Sequence, residues 1–183
     1  MLLPSAVKIY RKAFLFSVFK IGCIFKRKYK QMPKVYSINI NENGGVPKYR
    51  VNQAYIGKLR VEGDKQNDLK HHGGENRAVC LYSMDLIAAL KKEGHPIFEG
   101  STGENITIQG QDWNKLKQGV ILEIGQAKIE LTNPAPPCKT IAKSFKEGRF
   151  VRISEKKHPG WSRWYAKVLR EGLVSLNDVV FLR

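Results

Sequence analysis

The chain has 183 residues, 42% of them apolar and 26% charged, which suits one globular domain with its own core and excludes a disordered or collagen-like chain. Its net charge of +16 is unevenly spread: residues 1–30 hold eight basic side chains and no acidic one, whereas the rest carries 24 basic against 16 acidic, a net of +8. Three cysteines (Cys23, Cys80 and Cys138), without C-x-x-C spacing, exclude a disulfide framework and a zinc knuckle, and point to a reducing, cytoplasmic setting.

Residues 13–25 are apolar apart from Lys20 and are flanked by basic residues on both sides. The stretch is too short to span a bilayer, which takes about 20 apolar residues. A signal peptide would place small residues where Lys26-Arg27-Lys28-Tyr29-Lys30 stands. Three readings stay open: weak association with an anionic membrane through residues 8–30, a targeting segment, or an extension outside the fold. Met32-Pro33-Lys34-Val35 reads as a domain start, so the expected organisation is a basic extension over 1–31 and one domain over 32–183.

From Lys34 onward short apolar runs are bounded by Gly, Asn and Pro. Residues 34–40 alternate, with Tyr36, Ile38 and Ile40 on one face, and end at the turn cluster Asn41-Glu42-Asn43-Gly44-Gly45. A strand is expected over 77–82, with Cys80 as core. Strands over 120–124 and 127–132 flank Gly125-Gln126, a good hairpin loop, and 179–182 closes the chain. Helices are expected over 84–93 after Ser83, over 140–147 before Gly148, and over 163–171 between Ser162 and Gly172. There is no internal repeat and no βαβ rhythm. The fold class is mainly β, a chiefly antiparallel barrel or curled sheet with a few short helices.

Three segments carry candidate chemistry. Cys138 stands in Asn133-Pro134-Ala135-Pro136-Pro137-Cys138-Lys139-Thr140. Prolines stiffen the backbone and keep it out of helices and central strands, and Lys139 and Lys143 add charge that favours the thiolate, the nucleophilic and metal-binding form. The alternative is a loop whose cysteine is a small buried hydrophobe. The run Asp68-Leu69-Lys70-His71-His72-Gly73-Gly74-Glu75-Asn76-Arg77 pairs glycines, which let a ligand approach the backbone, with Lys70 and Arg77, which suit phosphate. Adjacent histidines point to opposite sides of an extended chain, so His71 and His72 do not both ligate one metal; a polar structural turn is the competing reading. Gly100-Ser101-Thr102-Gly103-Glu104-Asn105 is a second polar, ligand-facing loop. Motifs for P-loop, dinucleotide-binding, serine-hydrolase and zinc-protease chemistry are absent. Trp161, Trp164, Tyr165 and Val168 read, at helical spacing, as a core face rather than a base-stacking platform, so no nucleic-acid partner is expected.

The order "VEGD" (61–64), "DLKHHGGENRAVCLY" (68–82), "GENITIQG" (103–110), "NPAPPCKTI" (133–141) and "GWSRWYAKVLREGLV" (160–174) resembles the MOSC domain, the molybdenum cofactor sulfurase C-terminal domain, and in particular its stand-alone, YiiM-like branch. The similarity runs from about Val35 to Leu182. It implies a β-barrel-like fold, a bound molybdenum cofactor, and Cys138 as the thiolate ligand to molybdenum. It also implies an oxidoreductase that reduces small N-hydroxylated compounds with electrons from a separate electron-transfer protein. The cofactor-binding set carried over is Lys70, His71, His72, Gly73, Gly74, Arg77, Glu104, Asn105 and Cys138. No aminotransferase-like domain with a pyridoxal phosphate site accompanies it, and no ferredoxin-type cysteine run. The reading from another class is a non-catalytic module that carries the cofactor, or a persulfide on Cys138, to another enzyme. A chain beginning at Met32 is expected to keep its melting temperature within a degree or so and to lose any salt-sensitive binding to anionic vesicles. An insoluble or unfolded product would place residues 14–25 in the core instead.

Overall fold

A computed structural model describes residues 32–67 and 73–183. The expected extension over 1–31, with its membrane and targeting readings and Cys23, lies outside the described residues, as do 68–72. In chain order the described residues form β1 (Lys34–Ile40), β2 (Tyr49–Val51), β3 (Gln53–Ile56), β4 (Val79–Ser83), α1 (Met84–Lys92), β5 (Ile106–Gln109), β6 (Ile121–Ile124), β7 (Ala127–Ala135), β8 (Arg163–Arg170), β9 (Gly172–Ser175) and β10 (Val180–Leu182). Eight strands make one sheet in the order β10-β6-β7-β8-β4-β5-β1-β2, and β3 pairs with β9 in a small second sheet.

The mainly β class holds, but the barrel does not. The large sheet curls until the start of β1 meets the approach to β10, where Val35 N–H donates to the Asp178 carbonyl (2.9 Å) and Val180 N–H to that of Pro33 (2.8 Å). Only the isolated bridge Lys34–Val179 joins the two ends. The reason lies in β1: β5 takes one side of it, and β2 takes Ile38–Ile40 on the other, which leaves only its first residues for β10. The sheet stays open.

The one parallel pair, β4 with β5, was not legible as a βαβ rhythm. Parallel neighbours need a crossover, and α1 supplies it. Ser83 caps that helix, its hydroxyl accepting from Leu86 N–H (3.3 Å), a contact worth about 1 kcal/mol. The hairpin at Gly125-Gln126 forms as expected, with Ile124 opposite Ala127. Strand β7 runs beyond the predicted end, and Pro134 and Ala135 pair with Trp164 and Arg163 after a register shift that begins at Leu131. An irregularity of this kind admits a proline that has no N–H for the ladder.

Two expected helices are not α-helices. Residues 163–170 are strand β8, and 140–147 are short 3-10 turns, Lys139–Ser144 and Lys146–Gly148, separated by an extended, buried Phe145. Along β8, Trp164, Ala166 and Val168 join the main core while Tyr165 meets Cys80 and Ala135 in a small separate cluster. Apolar residues on both faces hide the two-residue period. Trp161 belongs to no helix; the Arg152 guanidinium stacks on its ring at 3.6 Å. In β1 Ile38 is in the core and Ile40 packs against it as expected, but a register shift between Val35 and Ser37 changes the phase, so Val35 reaches the core and Tyr36 does not. The main core is one contiguous cluster in which Leu81, Ile108 and Leu131 are wholly buried, each contributing about 1.5–3 kcal/mol.

Beneath the start of β5 lies a plate of buried polar side chains. Glu104 is fully buried, and its carboxylate accepts from Gly100 N–H (2.6 Å) and the Thr102 hydroxyl (2.7 Å). Asn105 donates to Asp64 (2.9 Å) and to the Asn39 carbonyl (3.3 Å). Gly100 has φ +82°, and a methyl there would overlap the Lys48 carbonyl oxygen. Gly100→Ala should therefore lower stability by about 2–4 kcal/mol, read as a lower urea midpoint at unchanged m-value. Burial pushes the Glu104 carboxyl above the ordinary glutamate value of 4.5, against the hydrogen bonds from Thr102 and Gly100 and the charge of Arg163. A carboxyl raised by folding stabilises the fold fully below its unfolded pKa, and that contribution is lost as pH rises above it. As pH rises from that value toward neutrality, Glu104→Gln should lose less stability than wild type in urea unfolding; parallel pH curves would contradict this.

Candidate functional site

Strand β7 ends at Ala135, and Pro136-Pro137 carries the chain to Cys138, whose extended backbone (φ −133°, ψ 171°) precedes the 3-10 turn Lys139–Ser144. This strap is tied at both ends. The Ser162 hydroxyl donates to the Ala135 carbonyl (3.2 Å), and the Ser144 hydroxyl to the Ser101 carbonyl (2.8 Å). Between them Arg163 donates through Nη2 to the Pro136 carbonyl (3.3 Å) and through Nη1 to the Thr102 carbonyl. Cys138 is left half-buried, on the wall of a cavity of about 300 Å³.

The cavity gathers segments far apart in sequence. Lys48 and Lys65 come from the loops around β2 and after β3, Arg77 from the 3-10 turn before β4, and Arg163 from the first residue of β8. No carboxylate is among the described lining residues. Asp64 sits behind Lys48 at 2.6 Å and neutralises it. Arg163 is 4% exposed, bonds only to carbonyl oxygens among the described residues, and keeps a buried Nε–H with no partner. A guanidinium held this way leaves positive charge for a ligand to neutralise.

Cys80 and Tyr165 also line the cavity. Burial pushes the Cys80 thiol up, only partly offset by the charges of Arg163 and Lys48. Burial likewise pushes the Tyr165 phenol up, and the nearby Cys80 adds to the shift. Both groups therefore hold their protons at neutral pH, which leaves Cys138 as the candidate thiolate ligand. A soft sulfur ligand beside several cations fits a metal carried by an anionic organic group, which is the chemistry of a molybdenum–pterin cofactor.

Of the residues expected from sequence, Gly73, Arg77, Asn105 and Cys138 line this one cavity. Gly74 does not line it, and Glu104 lies beneath it, with its carboxylate turned to its own loop. Lys70, His71 and His72 fall outside the described residues. Cys80 is buried in the core as expected, in a small cluster with Ala135 and Tyr165 that also borders the cavity. Lys139 and Lys143, expected to supply the charge near the thiol, are exposed and absent from the described lining. Sequence reasoning missed Lys48, Lys65, Arg163 and Tyr165. For Arg163 and Tyr165 the signal was partial: Trp164, Ala166 and Val168 are spaced two apart, as in a strand with Arg163 and Tyr165 on its other face, but Tyr165 is apolar too and masks the alternation. For Lys48 and Lys65 there was none.

A family model for the MOSC domain matches residues 68–181, more than half of the chain. YflK of Bacillus subtilis is 31% identical over 115 residues, which cover 62% of this chain and 51% of that protein. YiiM of Escherichia coli is 27% identical over 124 residues, 66% of this chain and 54% of that one. The chain thus spans about half the length of the curated relatives it matches. Among solved structures, YiiM from Geobacillus stearothermophilus aligns with a TM-score of 0.63 over 82% of this chain and 75% of its own, at 24% identity. The YUAD protein of Bacillus subtilis aligns with a TM-score of 0.63 over 83% and 96%, at 15% identity. At these identities the structural likeness is one of fold. The glycine pair, the Glu104-Asn105 loop, the proline-borne cysteine and β8 all fall inside the matched span, and the chain belongs to the MOSC domain family.

Proposed function

We propose that this protein is an oxidoreductase that binds a molybdenum cofactor in the Cys138 cavity and reduces small N-hydroxylated compounds, taking electrons from a separate redox protein. Membership of the MOSC family makes it a molybdenum-cofactor-associated protein. The observation that carries the finer reading is a half-buried thiol on a tied strap, in a cavity whose described lining holds four cations and no carboxylate.

When bound, the cofactor supplies the metal and the two-electron chemistry that cleaves an N–O bond. This chain's own residues bind and orient. Cys138 offers the soft ligand, and the strap's ties to Ser162, Arg163 and Ser101 hold the sulfur in place. Lys65, Arg77 and Arg163 offset the anionic charge of the pterin, beside Lys48, whose charge Asp64 already balances. Tyr165 keeps its proton at neutral pH and lines the cavity as a neutral phenol. Reducing R–NHOH to R–NH2 and water consumes two electrons and two protons. In this reading the electrons come from a separate redox protein. No helix among the described residues is long and apolar enough to cross a membrane.

The test is elemental and pterin analysis of protein from a host that makes the cofactor, together with a reduction assay on an amidoxime or hydroxylamine. Wild type should carry molybdenum and pterin and turn over the substrate. Cys138→Ser should lose reductase activity by at least about 100-fold and retain less metal, because a direct ligand costs more than the 10–100-fold typical of outer-shell partners. Equal activity and metal content in the two proteins would overturn the assignment. Full cofactor occupancy with no reduction by any electron donor would identify a carrier instead.

A further inference from the structure

We propose that Arg163 is the residue that selects anionic ligands at Cys138 and, in the same geometry, positions the Cys138 strap. The first half rests on charge. Arg163 is 4% exposed, yet among the described residues it has only the carbonyls of Thr102 and Pro136 as hydrogen-bond partners, and its buried Nε–H has none. Buried guanidinium groups are ordinarily matched by a carboxylate fork. The nearest candidates are engaged elsewhere: Glu104 is held by Gly100 and Thr102, and Asp64 by Lys48 and Asn105. Arg163 shares the cavity wall with Cys138, so a positive charge that no carboxylate hydrogen-bonds bears on whatever ligand the thiol meets. An anionic ligand supplies the missing counter-charge.

The second half rests on topology. Thr102 precedes the Glu104-Asn105 loop, and Pro136 lies two residues before Cys138. One planar fork bonds both carbonyls and so sets the distance between that loop and the strap. A lysine keeps the charge but concentrates it at one rotatable point and holds such a pair less well.

This goes beyond the molybdenum reading and is tested without it, on the full chain free of cofactor. Alkylation of Cys138 is followed by peptide mass spectrometry with iodoacetate, which is anionic, and iodoacetamide, which is neutral. Either reagent forms the S–C bond and releases iodide, so the thiolate fraction cancels in the ratio of the two rates. In Arg163→Gln the iodoacetate-to-iodoacetamide ratio should fall at least about threefold, the order expected for one charge removed several ångströms away in a partly wet cavity that keeps Lys48, Lys65 and Arg77. In Arg163→Lys the ratio should stay within about twofold of wild type, while both absolute rates rise as the strap loosens. A purely structural role would move both reagents together and leave the ratio unchanged; a wild-type ratio in Arg163→Gln overturns anion selection. Should Arg163→Gln give no cooperative melting transition, Arg163→Lys carries the test, and unchanged absolute rates there overturn the positioning role. Neither result depends on whether molybdenum binds, so failure here and failure of the cofactor assignment are separately visible.

Discussion

Asn105 ties four segments of this structure together at one buried residue. Its backbone N–H donates to the Cys80 carbonyl (2.7 Å) while its side-chain Oδ1 accepts from Cys80 N–H (3.1 Å), so one residue brackets Cys80 as a neighbouring strand would. Its amide nitrogen reaches Asp64 and the Asn39 carbonyl, and its own carbonyl accepts from Asn39 N–H (2.7 Å). Strands β1 and β4, the loop before β5 and the loop after β3 therefore meet at one buried amide. Leaving such a group without partners in the interior costs about 1–3 kcal/mol for each lost contact. Every one of its donors and acceptors is matched, so the arrangement has few alternatives. The cavity floor inherits that rigidity.

The site above this floor is built on the opposite principle. The plate below is fully satisfied, whereas the cavity wall concentrates like charges and leaves a buried donor unpaired. Lys48 is compensated by Asp64, but Arg163 is held only by carbonyl dipoles. Such a cluster opposes folding unless its surroundings are over-determined. The strap, tied by Ser144, Ser162 and Arg163, and the loop at Gly100 provide that support. The division is the usual one for a binding site: rigid scaffold beneath, unfulfilled chemistry above.

Elements defined by contacts near in sequence were readable in advance. Ser83 and Gly94 bracket α1 because a cap and a left-handed stop act within a few residues of the helix. Gly125-Gln126 marks its hairpin for the same reason. Strand β8 was misread because Trp164 and Val168 face the core while Tyr165 faces the cavity. A strand buried on both faces loses the alternation that identifies it, and its apolar spacing then imitates a helix. The shift of phase inside β1 was equally hidden, since it exists only against β5.

Sequence alone singled out Cys138, which the structure places on a cavity wall, because the stiffness of Pro136-Pro137 and the order of the motifs are properties of the chain itself. It also supplied the family, the β class, and Arg77, Asn105 and Gly73 as companions of Cys138. Only the tertiary structure decided that the sheet stays open, because closure depends on which partner occupies the far side of β1, and β2 does. Only it showed that Lys48, Lys65 and Arg163 line one cavity with Cys138, whose described lining does not include Lys139 or Lys143. Charge acts through space over several ångströms, and residues 48 and 138 become neighbours only after the sheet has curled.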